Sequence, residues 1–137
     1  MIKKAVVKVV SLQKDIDDKA IEVVTPGEFY KEGEYYYAIY DETELSGMEG
    51  TKTTLKVSQD EFFLSRSGST NGEMHFKKAS KDISLYDTPY GALQITIETN
   101  ELKVDLSDNG GEIYIDYNLA VANQEPQNTV LKVSIRV

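Results

Sequence analysis

Cysteine is absent from this 137-residue chain. Its absence removes disulfides, zinc–thiolate sites, iron–sulfur clusters and a thiol nucleophile together. Tryptophan is absent too, and histidine occurs once. The lone His75 has no second histidine or cysteine to make a transition-metal site, and no partner for a nucleophile–base pair; its alternation against Met74 and Phe76 puts it on a solvent-facing side. No apolar run is long enough for a membrane span or a signal-peptide core, since Ala5-Val6-Val7 is broken by Lys8. Cations are the minority, 15 Lys and Arg against 23 Asp and Glu, for a net charge of −8. That balance argues against nucleic-acid and anionic-lipid partners, whose recognition rests on Lys and Arg. The glycines show no phosphate-loop spacing, and no Gly-x-Ser-x-Gly elbow is present. The expectation is a cytoplasmic protein without metal, cofactor or visible catalytic machinery.

What the chain has in abundance is alternation with a period of two, the mark of half-buried strands. A valine-rich segment from Lys4 to Leu12 comes first. Ile21 to Tyr30 follows, with a bulge or bend expected at Pro26-Gly27 because strand interiors tolerate those residues poorly. Tyr35 to Glu42, Thr51 to Val57, Phe62 to Ser67 and Met74 to Lys78 come next. Ser67-Gly68-Ser69-Thr70-Asn71-Gly72 and Asp108-Asn109-Gly110-Gly111 carry the residue types of hairpin turns. Leu93, Ile95 and Ile97 alternate up to a polar break at Asn100-Glu101, then Leu102, Val104 and Leu106 continue. Ile113 to Leu119 and Leu131 to Val137 complete about nine strand-like segments, with Leu119 to Ala122 open to a helical turn. In Tyr86-Asp87-Thr88-Pro89-Tyr90-Gly91, Pro89 fixes its own φ and suits the second position of a tight turn ending at Gly91. This stretch reads as a corner between a front meander ending near Lys78 and a back meander starting at Ala92.

Short connections between consecutive strands predict an all-β, antiparallel meander of roughly 8–10 strands in a single domain spanning 1–137. Closing it into a barrel removes the two edges an open sheet exposes; a two-sheet sandwich is the alternative.

Face parity gives the sharpest inference about a site. Phe62, Leu64 and Arg66 share one strand face, and Tyr36, Ala38, Tyr40 and Glu42 share another. If Ala38 looks inward, Glu42 and Arg66 both enter the barrel, either as an internal ion pair or with Arg66 available to an anionic ligand. Arg66 at a strand end with its head in water is the plainer reading. Tyr40, Tyr90, Tyr117, Met74 and Phe76 join these two as candidate cavity-lining residues, against simple sheet packing. The acidic clusters Asp15-Ile16-Asp17-Asp18 and Asp41-Glu42 to Glu44 lack the glycine and distal glutamate of a calcium loop and read as solvated turns.

Several stretches resemble a known family in the right order. Gly50-Thr51-Lys52-Thr53-Thr54-Leu55-Lys56-Val57 is similar to its Gly-x-x-Thr-Thr-Leu-Lys-hydrophobic strand. Arg66-Ser67-Gly68 with Met74-His75-Phe76 resembles its next hairpin, and Tyr86 to Gly91 its most recognisable signature. Gly111-Glu112-Ile113 through Tyr117-Asn118-Leu119 resembles its penultimate strand. This is the YwiB-like family, small bacterial proteins of unknown function. The resemblance implies a lipocalin-like, calycin-type β-barrel and no particular activity. True lipocalins carry a Gly-x-Trp motif in the first strand, which a chain without tryptophan does not have.

Two functions are compatible with these residues. In one, the barrel binds a small, partly apolar or anionic molecule. In the other, its core is filled and it works as an interaction barrel, with homo-oligomers possible. An enzyme using Glu42 as acid or base beside Arg66 is a third and lesser reading.

Overall fold

The computed structural model describes residues 2–13, 20–43, 49–89, 91–122 and 124–137. Within them are ten strands: β1 (Lys3–Gln13), β2 (Ala20–Glu32), β3 (Tyr35–Asp41), β4 (Thr51–Val57), β5 (Glu61–Gly68), β6 (Gly72–Lys77), β7 (Lys81–Thr88), β8 (Gly91–Ser107), β9 (Gly110–Val121) and β10 (Gln127–Arg136). No helix occurs among the described residues. All ten strands belong to one antiparallel sheet in the order β6-β5-β4-β3-β2-β1-β10-β9-β8-β7.

The first and last strands pair along their length, from Val6 opposite Arg136 to Gln13 opposite Thr129. The remaining edges, β6 and β7, are consecutive in the chain and joined by a single bridge between Asn71 and Asp87. The result is a nearly closed barrel whose seam lies in the middle of the sequence.

Three expectations are corrected. Tyr86 to Thr88 are the end of β7, paired with the start of β8 up to Thr88 opposite Gly91, and not a corner between two meanders. Asn100-Glu101 does not separate two strands: β8 runs through it, with a register shift against β9 between Thr99 and Glu101. Pro26-Gly27 causes no shift, because Val6 faces Pro26 and Ala5 faces Gly27 in an unbroken ladder. Pairing of β2 with β3 begins only at Gly27, so Pro26 lies where one neighbour is missing and its absent N–H is tolerated. Gly27 is required by proximity: a Cβ there would lie 2.6 Å from the Ile39 carbonyl oxygen. Leu119 to Val121 stays in β9 and forms no helical turn.

Inward positions follow the period of two. On β4 the pattern is strict, with Thr51, Thr53, Leu55 and Val57 buried between less buried neighbours. Phe29, Phe62 and Phe76 are fully buried together with Leu55, Ile97, Ile113 and Ile115. Phe76 packs edge-on against both Phe62 and Tyr117, at centroid distances of 5.7 and 4.8 Å. Each such side chain contributes roughly 1.5–3 kcal/mol by leaving water.

Candidate functional site

One cross-strand row assembles the interior polar cluster. Gly27 on β2 faces Tyr40 on β3, Tyr40 faces Thr53 on β4, Thr53 faces Arg66 on β5, and Arg66 faces Gly72 on β6. Glu42 follows Tyr40 by two residues, so it shares the inward face. Tyr86 of β7 covers Gly72 so closely that a Cβ on that glycine would sit 2.5 Å from the ring. From the opposite wall, Tyr117 on β9 stands between Thr99 of β8 and Thr129 of β10.

Arg66 and Glu42 do meet inside the barrel. Arg66 Nε lies 3.7 Å from Glu42 Oε2, with the glutamate side chain 4% exposed and the arginine 17% exposed. This is an ion-pair contact longer than a hydrogen bond. Arg66 Nη1 donates to the Tyr86 hydroxyl oxygen at 3.3 Å, and the Thr53 hydroxyl donates to the Glu42 carboxylate. The guanidinium therefore has a carboxylate and a phenol as partners before any ligand arrives.

Three phenols around this pair are held protonated. Burial pushes Tyr40 well above its ordinary value, Glu42 adds to the rise and Arg66 opposes it. Burial likewise pushes Tyr117 up to about 12, with Arg66 opposing. Tyr86 is raised by burial and partly lowered again by Arg66. A phenol kept neutral is a hydrogen-bond donor, not a base. The cluster is thus suited to holding hydrogen-bond acceptors and carries no nucleophile–base pair.

Of the other candidates, Met74 faces Leu64 across the β5–β6 ladder, and Phe76 fills the space beside Tyr117. Tyr90, the acidic turn at 15–18 and Glu44 lie outside the described residues. His75 is on the outer face but only half-exposed. Its ring stacks on Phe63 at 4.4 Å, its Nε2 is 2.8 Å from Glu61 and its Nδ1 is 3.4 Å from Asp82. Thr53 and Tyr86 were not legible as members of the cluster. Thr53 reads as an ordinary strand former, and Tyr86 reads as part of a turn.

A second site, on the outer surface, has no counterpart among the sequence candidates. Outward residues of five adjacent strands line a groove of about 690 Å³. Val10 of β1 faces Lys132 of β10, Lys132 faces Tyr114 of β9, and Tyr114 faces Lys103 of β8. A parallel row runs from Val24 through Lys8, Ser134 and Glu112 to Asp105. Val6 and Arg136 face one another beside it. Lys103 Nζ lies 5.8 Å from the centre of the Tyr114 ring. Four cations, Lys8, Lys103, Lys132 and Arg136, line the groove with two carboxylates, Asp105 and Glu112, and Lys8 is paired at 2.9 Å with a third, Glu22, beside it. The available signal was in β1, where valines at both parities, Val6 and Val10 as well as Val7 and Val9, mean that neither face is wholly given to water.

Comparison with known proteins agrees with this architecture. The family model described as "Domain of unknown function (DUF1934)" matches residues 7–133. The uncharacterised β-barrel protein YwiB of Bacillus subtilis (strain 168) is 29% identical over 115 residues, covering 83% of this chain and 79% of that protein. The crystal structure of the Bacillus subtilis ywiB protein superposes with a TM-score of 0.87 at 24% identity, covering 98% of this chain and 92% of the other.

Proposed function

Because the chain belongs to the DUF1934 family, whose description assigns no activity, we propose a function from its own geometry: a filled β-barrel that binds a small, partly apolar, anionic molecule in its outer groove. The groove itself carries this reading. Its volume of about 690 Å³ falls within the range of small-molecule sites, which are concave, largely apolar and furnished with few polar groups. Val6, Val10, Val24 and the Tyr114 ring supply apolar surface, and Lys103 and Lys132 flank that ring. With Lys8 paired to Glu22, Lys103, Lys132 and Arg136 stand against Asp105 and Glu112, an excess of one cation that draws anions to this face of an acidic protein. The interior is the weaker host. Its aromatic rings are in mutual contact, and Arg66 already has Glu42 and Tyr86 as partners.

The test is an amide-resolved NMR titration with decanoate as probe and decanol as the uncharged control. Decanoate is expected to shift amides of β1, β8, β9 and β10, more strongly than decanol and less at high salt. Combined Lys103→Glu and Lys132→Glu is expected to weaken binding by tenfold or more, roughly 1.4 kcal/mol. Shifts centred on Arg66 and Glu42 would return the site to the interior, and no saturable shift anywhere would end the small-molecule reading.

A further inference from the structure

The outer face of β7, like the valine-bearing face of β1 and β2, departs from the usual polar outside of a barrel, and it does so more strongly. In an antiparallel sheet with one face to water, outward positions are normally polar. On β7 the outward positions are Lys81, Ile83, Leu85 and Asp87, all exposed. Ile83 and Leu85 are each 68% exposed, the highest values for large apolar side chains among the described residues. Neither Lys81 nor Asp87 takes part in an ion pair among those residues.

We propose that this face is a self-association surface, on which β7 of a second copy of the chain packs face to face and antiparallel. The order of residues selects that partner. Cation, apolar, apolar and anion are equally spaced about Ser84, so a two-fold axis passing by Ser84 sets Ile83 against the partner's Leu85 and Lys81 against the partner's Asp87. Each contact occurs twice, as an isologous interface requires. Parallel stacking sets Lys81 against the partner's Lys81 and Asp87 against the partner's Asp87, so charge alone selects the antiparallel arrangement. Face-to-face packing is also what the edges allow. Asp87 exchanges both backbone hydrogen bonds with Asn71, and the Ser84 hydroxyl donates to the Glu73 carbonyl. β6 thus lies along the edge of β7, joined by that one bridge and the Ser84 hydroxyl, and leaves its outer face open. This surface is separate from the groove and does not depend on the binding assigned to it.

The patch is small, so the expected dimer is weak and reversible, visible in sedimentation velocity as a concentration-dependent shift from monomer to dimer. Lys81→Asp places like charges opposite each other, and so does Asp87→Lys. Each single variant is expected to weaken the dimer by about tenfold or more. An equimolar mixture of the two single variants restores opposite charges across the interface and is expected to dimerise, as is the double variant. Ile83→Ser with Leu85→Ser abolishes association, and circular dichroism checks that this doubly substituted chain remains folded. A wild-type chain that stays monomeric up to millimolar concentration overturns the proposal. So does a dimer indifferent to the charge swaps, or single variants that fail to rescue each other.

Discussion

Arg66 shows how a single residue is fixed by its surroundings. Its stem lies on the inward face behind Phe62 and Leu64, and its head meets a carboxylate that is almost completely buried. Whether such a pair stabilises relative to apolar residues depends on the balance of desolvation against attraction, but breaking one half is costly. Arg66→Met leaves Glu42 buried without its cation and is expected to cost about 3 kcal/mol in urea denaturation. Adding Glu42→Leu to the same chain is expected to recover most of that loss, because the uncompensated charge goes with it. Thr53→Val removes one donor to the carboxylate and costs about 1–2 kcal/mol. If Arg66→Met and the double variant prove equally unstable, the loss belongs to packing of the arginine stem and not to the charge. Strand parity offered the meeting of Glu42 with Arg66 only on the condition that Ala38 looks inward, beside the plainer reading of Arg66 with its head in water, which the contact with buried Glu42 replaces. The third member, Tyr86, was not legible, because its parity has meaning only once β7 is known to be a strand.

At the scale of elements, the informative feature is the seam between β6 and β7. Side chains hold it where the backbone ladder does not: the Ser84 hydroxyl on the Glu73 carbonyl, Tyr86 over Gly72, and His75 between Glu61 and Asp82. Asp87 is hydrogen-bonded to Asn71, but the ladder does not continue to Leu85 and Ile83. Hydrogen exchange is therefore expected to be fastest, among strand amides, at Ile83, Leu85 and Glu73. It is expected to be slowest where β1 pairs with β10, for example at Val7 and Val133. Local opening follows sparse backbone bonding. Protection at the seam equal to that of the β1–β10 ladder would mean that side chains alone close the barrel. The same strand explains what the sequence concealed. From sequence, the front meander ends near Lys78 and Tyr86 is part of a corner, whereas β7 runs from Lys81 to Thr88 with Ile83 and Leu85 turned to water. Asn100-Glu101 misled for a related reason: a bulge admits an extra polar residue without ending the strand.

For the whole molecule, alternation and short turns were enough for an antiparallel meander, and two strand-like termini pointed to closure. Whether the barrel is hollow was not legible. Parity says which side chains face inward, but not whether Phe29, Phe62 and Phe76 reach one another across it. That depends on strand tilt and stagger, which are properties of the closed sheet. The nearly closed barrel, with these side chains buried inside it, has a consequence for its response to alkali. Tyr40, Tyr86 and Tyr117 share one interior and all ionise less readily there than in the unfolded chain. A phenol whose folded pKa is raised keeps a proton that the unfolded chain releases. Its contribution to stability is therefore complete below the unfolded value near 10 and is lost as pH rises from there towards the folded value. For Tyr117, pushed up to about 12, the loss runs between those two values at up to about 1.4 kcal/mol per pH unit. Urea denaturation at rising pH above 9 is expected to show this decline, and Tyr117→Phe to show a shallower one. Parallel curves for the two chains would mean that the Tyr117 hydroxyl reaches water in the folded protein, and that the barrel is less completely filled than its packed rings indicate.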